Sequence, residues 1–168
     1  VSIYHDVIKH EVFPALGCTE PIAVAYAATL AAELIGGEID SVIVTVDPGV
    51  FKNGFAVTVP ETGGLKGNII AAALGALIAR PELKMEILSG TTEQLLAKAK
   101  LMVSSGRATV ALSSGQTELY IDAVVNSGGR KARAVLRGGH TNIVSLERDG
   151  EILLHADENA ASNDNQEY

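Results

Sequence analysis

The sequence predicts an α+β domain, with helices packed on a mainly antiparallel sheet. Three observations lead there. Runs of alanine and aliphatic residues with helical spacing fill the chain up to Gly106. Beyond it come short alternating runs separated by glycine-containing turns. No long linker divides the two parts, so residues 1–156 are expected to form one domain. Residues 157–168 are polar and read as a mobile tail or a severed connection.

Taken in order, residues 2–13 form a first amphipathic helix, with Ile3, Val7, Ile8 and Val12 on one stripe. Thr19 is a good N-cap, Glu20 an acid in the first turn, and Pro21 sits where a missing N–H costs little. The helix over 20–35 is apolar nearly all round, which predicts burial on several sides, and Gly36-Gly37 stops it. Residues 40–46 read as an interior strand, because both its faces are mostly apolar. A long loop over 47–54 and a short strand over 55–59 follow. A glycine-rich loop over 60–67 leads into a helix over 68–79, whose small residues allow another backbone to come close. Residues 83–88 are ambiguous. Thr91 and Gln94 have capping-box spacing at the start of the next helix. Strands are expected at 107–113, 117–125, 130–137 and 142–148, paired antiparallel through short turns, with a further short strand over 151–155.

Composition narrows the function. The 168 residues carry a net charge of −7, which argues against a nucleic-acid surface. Glu33 and Gly36-Gly37 interrupt the longest apolar stretch, so no membrane span is expected, and there is no basic leader with a cleavage site. A single cysteine excludes an internal disulfide framework and suits a reducing cytoplasm.

That cysteine, Cys18, precedes a helix N-terminus, where free N–H groups and the helix dipole favour the thiolate. A lone cysteine beside an alanine-rich helix is also what a small buried hydrophobe looks like. Lys52 and Asn53 lie in the loop over 47–54; a charge and an amide donor there can anchor a carboxylate, or Lys52 can serve as a base. A solvated lysine beside a turn asparagine is the plainer alternative. Glu61, Thr62, Gly63 and Gly64 could offer N–H groups to an anion. His140 follows two glycines and precedes Thr141, and its imidazole suits proton transfer near neutrality. His5, His10 and His155 show no ligand spacing.

The run Pro14-Ala15-Leu16-Gly17-Cys18-Thr19-Glu20-Pro21 resembles the N-terminal signature of the L-cysteine desulfidase family, which is related to the alpha part of iron–sulfur L-serine dehydratases. The likeness continues through Asp47-Pro48-Gly49-Val50-Phe51-Lys52-Asn53-Gly54, through Val57-Thr58-Val59-Pro60-Glu61-Thr62-Gly63, and at Gly138-Gly139-His140-Thr141. The resemblance implies an α,β-elimination that converts L-cysteine or L-serine to pyruvate and ammonia, with sulfide released from cysteine. It implies Cys18 as one ligand of a [4Fe–4S] cluster; Lys52 and His140, candidates from their own chemistry, lie in segments that share the likeness and are the expected catalytic residues. Asn53, Thr19, Glu20 and Thr141 would then contact a small amino-acid substrate. Family members are longer and carry further cysteines toward their C-terminus. The expectation is therefore the N-terminal part of such an enzyme, inactive and without a cluster on its own, completed by a missing C-terminal half or a separate cysteine-bearing subunit. A homo-oligomer is compatible with this. The alternative is a non-catalytic amino-acid-binding or interaction module of the same fold.

Overall fold

The computed structural model describes residues 19–55, 59 and 67–156. The expected helix over 2–13, Cys18, the loop residues 60–66 and the tail over 157–168 lie outside the described residues.

Among the described residues there are four α-helices: α1 (Thr19–Ile35), α2 (Pro48–Phe55), α3 (Asn68–Ile78) and α4 (Glu93–Ser104). A 3-10 segment spans Pro81–Gly90, the stretch whose sequence was ambiguous. The strands are β1 (Ser41–Val46), β2 (Ala108–Leu112), β3 (Tyr120–Ser127), β4 (Arg130–Arg137), β5 (Ile143–Arg148) and β6 (Glu151–His155). They form one sheet in the order β2-β1-β3-β4-β5-β6. Helices on a mostly antiparallel sheet make the predicted α+β fold.

One pairing differs from expectation. β2 pairs with β1, and in parallel, so it is not the antiparallel neighbour of β3. The turn at Ser114-Gly115 reads as a hairpin, but β1 already occupies the place beside β3. A parallel pair needs a crossover, and the helices between β1 and β2 supply it.

Helix α1 buries residues all round its circumference, as its composition predicts. It packs against α3 on one side and lies across β3 and β4 on the other. The two helices come close because Gly75 of α3 sits on the backbone of Ala25. From the sheet, Val42, Val44, Val46, Ile121, Ala123, Val125, Ala132, Ala134 and Leu136 face this helical layer and are buried. β1 is interior by its hydrogen bonding, yet Ile43 is 44% exposed, so only one of its apolar faces is covered.

Three further local corrections have simple causes. Residues 48–55 are helical where a loop was expected, because Asp47 caps them: its Oδ1 accepts from Val50 N at 3.0 Å, and Pro48 takes the first helical position. Phe55 therefore ends a helix rather than opening a strand, and Val59 is in no strand. The cap of α4 is Thr92, one residue later than expected: its hydroxyl accepts from Leu95 N at 3.1 Å, while Thr91 donates to Leu88 O and closes the 3-10 segment.

Candidate functional site

Thr19 opens α1, and Glu20 is the acid of its first turn. His140 sits in the turn between β4 and β5. That turn is tied down at both ends: Gly138 N donates to Leu119 O at 2.9 Å, Asn142 N donates to Gly139 O at 3.2 Å, and Asn142 Nδ2 donates to Arg137 O at 2.7 Å. Gly138 takes a φ of 76°, a left-handed conformation that disfavours side chains and lets the chain reverse there. With the turn fixed and α1 laid across β3 and β4, His140 Nε2 comes to 3.1 Å from Thr19 Oγ1, across 121 residues of sequence. Both residues are half-buried. Thr141, next in the turn, is exposed.

Lys52 and Asn53 lie side by side on α2, both exposed. α2 packs against α1 and α3. Its position is set by Asp47, which is buried and bridges two elements: beside the bond to Val50 N, Oδ2 accepts from Tyr120 N at 2.8 Å. A buried carboxylate that receives two backbone N–H groups is well satisfied. α2 is also held from the α3 side, where Asn68 Nδ2 donates to Val50 O at 3.0 Å.

The outer face of the sheet carries a second polar group. The Arg133 guanidinium grips Asp122 through Nε at 2.9 Å and Nη2 at 2.7 Å, with Glu147 3.6 Å away. The bond to Asp122 raises the Arg133 pKa, so the guanidinium stays charged. Tyr120 Oη donates to Asp122 Oδ2 at 3.2 Å, and burial, then the Asp122 charge, push the phenol above its ordinary pKa. Arg137 stacks over the Tyr120 ring with its guanidinium carbon 5.2 Å from the ring centroid. Every acceptor in this network already has its cation, which marks it as a structural clasp between β3, β4 and β5.

The structure thus joins Thr19 to His140 and sets Lys52 and Asn53 on a helix beside α1. The sequence reading missed Asp47 and Asn68. Asp47 had a signal, an aspartate directly before proline at a helix start. Asn68 had none, because a buried amide looks like any helix-opening asparagine until its neighbours are known.

A [4Fe–4S] cluster is what the family resemblance implies. Among the described residues, no three His, Cys, Asp or Glu side chains converge as a metal site. The chain has one cysteine, and a cubane cluster takes several protein ligands. This chain alone does not fit the cluster. A cluster held at Cys18 needs thiolates from outside it.

Fold and site together describe an α+β domain in which Thr19, at the start of α1, meets His140 from the turn between β4 and β5. No family model matches the chain, and no solved structure matches it. Curated relatives do. A UPF0597 protein of Geobacter sulfurreducens is 75% identical over all 168 residues, which cover 39% of that protein. A UPF0597 protein of Bacteroides thetaiotaomicron is 40% identical over 163 residues, 96% of this chain and 37% of the relative. One from Elusimicrobium minutum is 36% identical over 165 residues, 98% of this chain and 39% of the relative. The name they share states no activity. The chain spans about two fifths of the length of the curated relatives it matches. Among the described residues no helix is long and apolar enough to cross a membrane.

Proposed function

We propose that this chain is one part of a larger UPF0597 protein that acts as an iron–sulfur-dependent amino-acid lyase. The enzyme eliminates the β-substituent of L-cysteine or L-serine, and the resulting enamine hydrolyses to pyruvate and ammonia. The observation that carries the reading is the bond between Thr19 and His140. It unites two segments that the resemblance singles out independently, and it places a titratable ring next to the residue that follows Cys18.

The protein side of the chemistry follows from that bond. When Nε2–H donates to Thr19 Oγ1, the tautomer is fixed and Nδ1 is left as an acceptor. An acceptor held in this way is suited to take the α-proton of an amino acid. Thr19 is then a positioning residue for His140. Lys52 on α2 contributes positive charge toward the substrate carboxylate, and Asn53 a hydrogen-bond donor.

The test is pyruvate formation from L-cysteine and from L-serine by the full-length protein, reconstituted anaerobically with iron and sulfide. Turnover is expected with at least one substrate. His140→Gln should lower kcat by about a hundred-fold, the scale of one acid–base group. Thr19→Val should lower kcat less, with KM little changed, because it removes the bond that orients the ring and leaves the ring in place. Absence of pyruvate from a cluster-loaded protein would refute the lyase reading. Full activity of His140→Gln would remove the histidine from the mechanism.

A further inference from the structure

The helices cover the sheet two strands at a time. α3 packs on β2 and β1, and α1 lies across β3 and β4 and just reaches β5. The interval has a physical cause: packed helices stand about 8–10 Å apart and neighbouring strands about 4.8 Å. The next place, over β5 and β6, lies beside α1 on the side away from α3. Among the described residues no helix fills it.

The sheet there presents an apolar surface. The row that begins at Ala134, buried under α1, continues through Leu146 of β5 to Leu154 of β6. Ile143 extends the row of Leu136 in the same way. Cover falls away along these rows: Ala134 and Leu136 are buried, Ile143 and Leu146 are half-buried, and Leu154 is 43% exposed. β6 also shows Ile152 and Leu153, 62% and 40% exposed. Large apolar side chains exposed side by side mark a contact surface.

The chain carries a segment that fits it. The sequence predicts an amphipathic helix over 2–13, with Ile3, Val7, Ile8 and Val12 on one stripe, and such a stripe needs an apolar partner. Only residues 14–18 separate that segment from Thr19, where α1 starts. A connection this short joins antiparallel helices that lie side by side. The sheet, α3 and the 3-10 segment take the other sides of α1, so such a neighbour falls over β5 and β6. Its length suits the place: a helix over 2–13 is ~18 Å long, and a strand the length of β5 spans ~20 Å.

We propose that residues 2–13 dock as a helix antiparallel to α1 across β5 and β6, with the apolar stripe on Ile143, Leu146 and Leu154. The proposal does not depend on the lyase reading. The docked segment anchors the chain before Cys18 as α1 anchors it after, so Cys18 is held from both sides next to Thr19 and His140.

The experiment introduces Leu154→Cys into the full-length protein and follows alkylation of that thiol by iodoacetamide with peptide mass spectrometry. Docking shields the thiol, so alkylation of the folded protein should be about a hundred-fold slower than in urea. Val7→Asp puts a charge into the contact and should raise the folded-state rate about ten-fold or more. Lys9→Asp, on the opposite side of the helix, should leave it unchanged. Should Val7→Asp fail to fold, a short bismaleimide decides: it should join Val7→Cys to Leu154→Cys but not Lys9→Cys to Leu154→Cys. Rapid alkylation of the folded Leu154→Cys protein would show an open face and overturn the proposal. Slow alkylation that Val7→Asp leaves unchanged would overturn it as well. In that case dependence on protein concentration assigns the face to a second copy, and independence assigns it to the remaining length of the protein. Cross-linking of both pairs alike, or of neither, would also refute the docking.

Discussion

Replacement of Gly75 by alanine tests whether α1 and α3 meet as closely as the structure places them. Alanine is the better helix former, so the intrinsic effect in α3 is a gain of about 1 kcal/mol. The contact opposes it. A β-carbon on Gly75 would lie 2.7 Å from both Cα and C of Ala25, and closer still to the Ala25 carbonyl oxygen. Carbon atoms rest at about 3.5–4.0 Å, so the helices must part by ~1 Å. The obstructing atoms are backbone, and no rotamer change relieves them. Overpacking costs about 1–3 kcal/mol where side chains can adjust, and this site belongs at the top of that range. The net loss, after the propensity gain, is about 2 kcal/mol. For a domain of this size that lowers Tm by about 4–8 °C. Thermal unfolding followed by far-UV circular dichroism reads the shift. Gly115→Ala is the control, since nothing lies within 4 Å of a β-carbon there. A Gly75→Ala protein that melts at or above the wild-type temperature would refute the close approach of α1 and α3.

Asp47→Ala removes a helix cap and leaves the Tyr120 N–H without its acceptor. The cap contributes about 1 kcal/mol and the stranded N–H about 1–3 kcal/mol. Urea unfolding should therefore show a loss of about 2–4 kcal/mol, part of it recovered by Asp47→Asn. Asp149 accepts from Lys131 N at 3.0 Å and from Arg130 at 3.0 and 3.1 Å, and these bonds hold its pKa below the ordinary value of 3.8. Its contribution to stability is present above pH 3.8 and is lost as pH falls through the lower folded value. Asp149→Asn, which tolerates the left-handed φ of 52°, should flatten the stability profile in that acid window. A carboxyl resonance of Asp149 titrating at or above 3.8 would contradict the bonding described.

Much of the architecture was legible because the chain states it in period and punctuation. The nearly all-round apolar circumference of α1 announced a helix buried on several sides. The alternation of Ile121, Ala123 and Val125 announced the covered face of β3. Illegible were features decided by a distant partner. Asn53-Gly54 carries the signature of a turn, yet the chain is helical there. Asp47 and Pro48 start a helix, and Gly54 is needed to admit the Asn68 amide. The place of β2 beside β1 is settled by the crossover through the helices rather than by any residue of β2. In the site, Thr19 and His140 were each legible as candidates, but their contact depends on how α1 crosses the sheet.

That dependence connects packing to chemistry. Thr19 stands at the start of a helix whose orientation is fixed along its length, against α3 at Gly75 and against β3 and β4 below. His140 stands on a turn fixed to the ends of β3 and β4. The 3.1 Å bond between them is the sum of these two placements. A displacement of α1 by ~1 Å, which the Gly75→Ala contact demands, would stretch the bond beyond useful hydrogen-bond length if it reached the helix start. The packing between α1 and α3 thus acts on the candidate site without touching it. In the lyase reading, Gly75→Ala should lower kcat with KM little changed, as Thr19→Val does, although no atom of Gly75 meets substrate. A Gly75→Ala protein with a lowered Tm and an unchanged kcat would show that α1 absorbs the strain before its first turn.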